Sequence, residues 1–275
     1  MATCPSQPPP RAMLTIEAAG NWTASQVRTI AHPDTRPFIP SVEQIIDHAW
    51  HAAQQQPGIL LFDGPMCRLE SYSAGPQSLE LALSPTSYRI FFGTNMRHPE
   101  LADQYGPPIL ANPLGVSCLL ETSDEWILLG RRNASVAYYP DRVHPFAGAL
   151  EPADDGDVFA AARRELHEEL ALKESHLKQI HCLALVHDNL LRQPELIFAV
   201  RTNRTLRQLE RLMDHTEHRA GFPLAVSLPV IESAMDQPRL LTPIAIGSLW
   251  LWGRQRFGQS WFDRHAPAIT AAPIP

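Results

Sequence analysis

The stretch "ARRELHEEL", residues 162–170, gathers three carboxylates, Glu165, Glu168 and Glu169, at one end of a short segment. On a helix, positions i, i+3 and i+4 are neighbours about 5–6 Å apart at Cβ, and like charges there repel by roughly a few tenths of a kcal/mol per pair. A divalent cation would offset that repulsion. Hard oxygen ligands in this arrangement suit Mg²⁺ or Mn²⁺, with the phosphates of a substrate filling the remaining positions. The competing reading is an exposed acidic helix balanced by Arg163 and Arg164.

The flanking residues support the helix itself. Asp157 at its start complements the positive end of the dipole. Ala160, Ala161 and Ala162 are strong helix formers. Val158, Phe159, Ala162, Leu166 and Leu170 fall on one face, which should pack on a sheet. Glu169 lands on the edge of that face, Glu165 beside it and Glu168 further round, which places the carboxylates at a cleft.

Composition narrows the classes of partner. The chain has 275 residues, 44% of them hydrophobic, and a net charge of −6. That balance is a globular protein's, and it lacks the clustered Lys/Arg that recruit nucleic acid or an anionic membrane. Four separated cysteines, Cys4, Cys67, Cys118 and Cys182, form no zinc-type pair and fit a reducing compartment. The opening "MATCPSQPPPRAML" has no apolar stretch of signal-peptide length, and no long apolar run follows. The expectation is a soluble, cytoplasmic protein.

The elements that must position the acids follow from pattern. The first forty residues, with Pro8-Pro9-Pro10 and "HPDTRPFIP", read as partly irregular or extended. "PSVEQIIDHAWHAAQQQPG" reads as a helix with Ser41 as N-cap, Gln44 completing a capping box and Pro57-Gly58 as the stop. His48 and His51 share one face of it and are read as solvated helix residues. "ILLFDG", "MCRLESYS" and "SLELALS" read as short strands, followed by "TSYRIFFGTN" and a polar connection. Past a boundary near residue 110, "PLGVSCLLET" and "EWILLGRR" read as a hairpin, "HPFAGALEPADDG" as a loop, and "IHCLALVHD" and "ELIFAVRT" as strands. "LRQLERLMDH" reads as helix, "FPLAVSLPV" as strand and "TPIAIGSLWLWGRQRFG" as the final helix. The predicted fold class is α/β (α+β): a layered α/β/α domain with a mixed sheet over 111–275, preceded by a smaller α+β domain over 1–110.

"GALEPADDGDVFAAARRELHEELAL" resembles the Nudix box, G-x5-E-x7-R-E-U-x-E-E-x-G-U, with U a bulky apolar residue. Arg164, Glu165, Leu166, Glu168, Glu169 and Leu172 fall on the pattern. Gly148 stands two residues too far upstream, Gly156 occupies the place of the leading glutamate, and Ala171 replaces the closing glycine. In that family the leading glutamate pairs with the arginine, so Asp154, Asp155 or Glu151 must substitute, or Arg164 is held otherwise. "TSYRIFFGTN", "ANPLGVSCLLETSDEWILLGRR" and "HPFAGALEP" further resemble the UDP-glucose/UDP-galactose hydrolase branch, whose members carry an extra N-terminal domain.

The resemblance implies a metal-dependent hydrolase that splits the diphosphate of a UDP-sugar into UMP and sugar 1-phosphate, with Mg²⁺ or Mn²⁺ as cofactor. It implies Glu165, Glu168, Glu169 and the Ala147 carbonyl as metal ligands, beside Arg164. A further acid is expected at Glu217, in the loop before a strand, with Glu195 at the opening of "ELIFAV" as its rival. His215 and His218 around Glu217 are read as surface histidines. Tyr88 offers a ring for a base, Arg89 a fork for phosphate and Asn95 polar contacts, or else Arg89 and Asn95 stabilise a turn at the domain junction. Another nucleoside diphosphate derivative (ADP-ribose, a dinucleotide, coenzyme A) and a non-catalytic nucleotide-sugar binder are the alternatives.

Overall fold

In the computed structural model, which describes residues 13–33, 37–56 and 61–265, the strand Gly115–Glu121 is buried along its whole length. A run with no solvent face belongs in the middle of a sheet covered on both sides. The elements around it are, in chain order, β1 (Leu14–Trp22), β2 (Val27–Ala31), α1 (Pro40–Gln54), β3 (Pro65–Gly75), β4 (Ser78–Ser87), α2 (Tyr88–Phe91) and α3 (Leu101–Tyr105). They continue with β5 (Gly115–Glu121), β6 (Trp126–Arg132), β7 (Val143–His144), β8 (Phe146–Ala149), α4 (Val158–Leu170), β9 (Leu177–Asp188) and β10 (Gln193–Thr202). The last are α5 (Leu206–Glu210), β11 (His218–Ala225), α6 (Leu228–Met235), α7 (Pro243–Phe257) and α8 (Gln259–His265).

The large sheet is mixed, eight-stranded, and runs β1-β9-β10-β5-β6-β11, with β7 on β6 and β8 on β5. β10 and β5 are parallel neighbours. Strand alternation sends Val116, Cys118 and Leu120 to one face, where α4 packs through Val158, Phe159, Ala162, Leu166 and Leu170. Leu119 points the other way, into a core built with Ile244, Ala245, Leu249 and Trp252 of α7. This is the α/β/α layering with a mixed sheet that the pattern predicted. The small sheet, β2-β4-β3, adds Leu79, Leu81 and Leu83 to the α4 side.

One irregularity in the large sheet matters most. β5 pairs with β8 over Gly115–Cys118 and with β6 only at Leu120 and Glu121. The chain crosses between these partners at Pro145, since β7 bonds β6 at Gly130 and Arg131. The sheet therefore forks, and β8 lies along the opening.

Several expected elements differ. The first strands were hidden in residues read as partly irregular, and β1 is hydrogen-bonded to β9 in the large sheet although it precedes residue 110. α1 is capped by Ile39, with Pro40 in the first turn, because proline's fixed φ and missing N–H suit that position better than Ser41 suits the cap. "HPFAGALEPADDG" contains the end of β7 and all of β8, because edge pairing to β6 and β5 is available there. The helix begun at Leu206 ends at Glu210, and the Asp214 amide donates to the Glu169 carbonyl at 2.7 Å. "FPLAVSLPV" divides into β11 and α6, since Pro229 starts a helix where it would break a strand. α8 follows the helix expected to be final. Pro8-Pro9-Pro10 and the Pro57-Gly58 stop lie outside the described residues. Among the described residues, no helix is long and apolar enough to cross a membrane.

"TSYRIFFGTN" is helical, passing from α2 into a π-helical turn over Phe92–Met96. Gly93 is needed there, because a Cβ would come within 2.8 Å of the Ile46 backbone in α1. Asn95 is buried, donates to the carbonyls of Leu191 (3.1 Å) and Arg192 (2.8 Å), and accepts from the Ala111 amide (3.1 Å). It thus sews this turn to the β9–β10 connection and to the lead-in to β5. Each buried polar group left unsatisfied costs about 1–3 kcal/mol, so Asn95→Ala should lower unfolding free energy by roughly 2–4 kcal/mol. Urea denaturation measures this, and a loss below about 1 kcal/mol would contradict the structural role.

Candidate functional site

α4 is held at both ends. Asp157 caps it, one carboxylate oxygen accepting from the amides of Phe159 (2.8 Å) and Ala160 (3.0 Å). It ends on Ala171 at φ 49, a left-handed residue where glycine would be unstrained. Between them the helix presents Glu165 and Glu169 buried, at 7% and 6% exposure, and Glu168 exposed.

Glu165 lies against Gly148 of β8, where any Cβ would collide with its carboxylate. That close approach is why a glycine stands there. Burial, opposed by Arg164 and helped by the charges of Glu169 and Glu168, pushes the Glu165 carboxyl up to about 8. Glu169 is pushed well above the carboxylate range by burial and then by Glu217, against the Ala147 backbone amide and Arg132. Its Oε2 has no hydrogen-bond partner and lies 3.4 Å from His218 Nε2. His218 cannot supply a full counter-charge: burial and the Arg132 charge push it down to about 4.

Two buried carboxylates, one with an oxygen that no protein group satisfies, form a cradle of hard oxygens. Mg²⁺ or Mn²⁺ fits that donor chemistry. Among the described residues, no three His, Cys, Asp or Glu side chains are already gathered in metal-holding geometry. Arg164 Nη1 instead ties Glu165 at 2.6 Å and Glu168 at 3.4 Å, so an ion would displace one side of these pairs.

The missing leading glutamate has a replacement. Asp154 takes Arg164 in a two-pronged pair, Nε to Oδ1 and Nη2 to Oδ2, both at 3.0 Å. Nη2 also donates to the Ala149 carbonyl at 3.0 Å. The longer loop is spent on a 3₁₀ turn over Pro152–Asp154, and Asp155 (φ 52) and Gly156 (φ 74) then swing the chain into α4. Of the three acids the sequence offered, this turn directs Asp154 inward.

Glu217 is exposed at the entry to β11 and close enough to raise Glu169 electrostatically. Glu195 is buried, accepts from the Ser117 hydroxyl, and is pushed up to about 8 by burial. Arg89 is engaged elsewhere: Nη1 bonds Asp47 at 2.9 Å and Nη2 lies 3.7 Å from Glu43, both on α1. Tyr88 borders a cavity of about 250 Å³ lined with Phe62, Met66, Ala149 and Glu151, which adjoins the β8 carbonyl that Arg164 holds. A larger cavity of about 770 Å³, lined by Glu17, Tyr72, His187 and Arg192 among others, touches none of the α4 acids.

Two residues were missed. His218, expected at the surface, is 1% exposed and packs edge-on to Phe146 at 5.3 Å. Gly130 on the paired strand β6 makes that possible, since a Cβ there would collide with the imidazole. Arg132, at the end of β6, is buried beside it. The available signal was a glycine followed by charge at the end of an apolar strand, "WILLGRR".

Residues 111–227 match the NUDIX domain family model. Two curated relatives, each named uridine diphosphate glucose pyrophosphatase NUDT22, are similar to this chain. The Mus musculus protein is 36% identical over 52% of this chain and 51% of its own length. The Homo sapiens protein is 35% identical over 48% of each. The chain thus spans about half the length of the curated relatives it matches. The NUDIX domain of Shewanella oneidensis NrtR, solved as a cocrystal with ADP ribose, aligns at 16% identity and a TM-score of 0.40, covering 59% of this chain and 99% of that one.

The raised carboxyls fix a pH dependence. Glu165 and Glu195 titrate near 8 when folded against an ordinary value of 4.5, so the native state holds extra protons between those limits. Their contribution to stability is complete below about 4.5 and is lost as pH rises through about 8. The metal-free protein should therefore lose melting temperature from pH 5 to pH 8 by about 3 °C or more, and Mg²⁺ should restore more at pH 8 than at pH 5. A melting temperature that climbs over this range in EDTA would overturn the assignment.

Proposed function

With a NUDIX domain across residues 111–227 as the premise, we propose that this chain is a divalent-metal-dependent hydrolase of a nucleoside diphosphate sugar. Its substrate is UDP-glucose or UDP-galactose, and its products are UMP and the sugar 1-phosphate. The observation that carries the reading is the buried pair Glu165 and Glu169, the latter with an oxygen no protein group satisfies. A pure binding module gains nothing from that repulsion. The activity in the name of the mammalian relatives supports the uridine and hexose parts.

Glu165, Glu168, Glu169 and the Ala147 carbonyl are the groups that would hold the ion. When bound, Mg²⁺ or Mn²⁺ supplies positive charge against the diphosphate oxygens. The remaining roles belong to the chain. Arg164, locked by Asp154 and the Ala149 carbonyl, fixes the placement of Glu165 and Glu168. Water attacks one phosphorus, the bond from that phosphorus to the bridging oxygen breaks, and the water's proton must be accepted. A base has to be ionised at working pH. Glu195, titrating near 8 and bonded by Ser117, is mostly protonated at neutral pH, which suits it to donate a hydrogen bond to substrate. Glu217, exposed beside Glu169, is the proton acceptor. Tyr88 offers its ring to the base from the wall of the smaller cavity. Arg89 and Asn95 act by holding that wall in place.

Removing Glu169's charge takes away an ion ligand and a buried repulsion together. Glu169→Gln should lower kcat by roughly a hundredfold or more while melting temperature holds or rises. Loss of folding would mark Glu169 as structural, and full turnover in EDTA would sink the metal requirement. For specificity, a site that hydrogen-bonds a particular group rejects analogues lacking it better than it senses one hydroxyl's orientation. The kcat/KM values for UDP-glucose and UDP-galactose should agree within roughly tenfold, with ADP-ribose well below both. ADP-ribose as the best of the three would overturn the uridine assignment and leave the hydrolase reading standing.

A further inference from the structure

Arg132 is 4% exposed, and a guanidinium does not give up its proton in a protein. Burying that charge is costly unless acceptors surround it. Here they are few. Nε donates to the Tyr138 carbonyl at 3.2 Å, and the guanidinium sits 4.5 Å from the centre of the Tyr138 ring. Among the described residues, the two terminal nitrogens have no hydrogen-bond acceptor and no carboxylate in ion-pair contact. Glu169 and Glu195 feel the charge, each being lowered by it, without bonding it. Arg164 is the contrast, with Asp154, Ala149, Glu165 and Glu168 consuming its donors.

We propose that Arg132 is the anion receptor of the cleft, its two free terminal nitrogens taking a pair of diphosphate oxygens from the substrate. A planar fork matches two phosphate oxygens as an ammonium cannot. The inference rests on the hydrolase reading and assigns it a substrate-holding residue. It also explains what the helical turn after β4 does at this distance: Phe91 packs edge-on to Tyr138 at 6.4 Å, and Tyr138 in turn carries Arg132 by its carbonyl and its ring. The N-terminal segment thus positions the arginine through an aromatic relay.

The test is calorimetric titration of UDP and of ADP, with Ca²⁺ at one fixed concentration, into the wild-type chain, Arg132→Met and Arg132→Lys, with melting temperatures alongside. Arg132→Met should weaken UDP binding roughly tenfold to a hundredfold, the span of a lost charge-assisted pair. Arg132→Lys should fall between. Because methionine removes an uncompensated buried cation, melting temperature should hold or rise. UDP binding equal to wild type in Arg132→Met overturns the proposal, as does a melting temperature lowered by several degrees with unchanged affinity. If Arg132→Met does not fold, Arg132→Lys binding UDP as tightly as wild type overturns it instead. A wild-type chain that prefers ADP overturns the uridine assignment, and Arg132 is then judged by the same ratios with ADP.

Discussion

The structure is organised around two buried carboxyls whose ionised forms the protein does not compensate by itself. Glu165 and Glu169 are one turn apart, both buried, and both held above the ordinary carboxylate range. Removing an ionised carboxylate from water costs several kcal/mol unless a counter-charge accompanies it. A chain selected for stability alone would place apolar residues on this shoulder of α4. Glu165 and Glu169 in that place give up stability for a pair of hard oxygen donors.

Everything nearby serves to make that charge bearable and to aim it. The fork in the large sheet opens β8 toward α4, and Gly148 lets the Glu165 carboxylate approach the β8 backbone. Across the fork, Gly130 lets the neutral His218 imidazole lie beside Glu169. Arg164 stands between Glu165 and Glu168, anchored from behind by Asp154. An arginine with so many partners is a positioning device. Arg132, with so few, keeps its capacity for a ligand. The two cations of the cleft divide the work of ordering acids and receiving an anion.

Much of this was legible in the sequence because the signals were local. The i, i+3, i+4 acids, the Asp157 cap and the apolar face of α4 all sit within fourteen consecutive residues, 157–170, and the structure reproduces each. The sheet strands were equally plain where burial made them continuous, as in β5 and β10. What escaped depended on distant partners. Nothing near His218 announces burial, because the space it fills is created by Gly130 on another strand. Which of three loop acids would meet Arg164 was set by a left-handed turn at Asp155 and Gly156. β1 was obscured because its pairing with β9 spans most of the chain. Asn95 read as scaffold ahead of ligand contact, and its hydrogen bonds across to Leu191 and Arg192 show the scaffold role.

The structure implies that a divalent ion completes the charge of Glu165 and Glu169. Glu165, pushed up to about 8 by burial, and Glu169, held well above the ordinary carboxylate range by burial and Glu217, must lose protons when an ion binds at neutral pH. The direct measurement is Mn²⁺ titration at pH 7 by calorimetry in buffers of differing ionisation enthalpy, which counts protons released per ion. The wild-type chain should release about one proton or more per ion, and Glu169→Gln fewer, with weaker binding. Tight Mn²⁺ binding with no proton release, unchanged in Glu169→Gln, would contradict it.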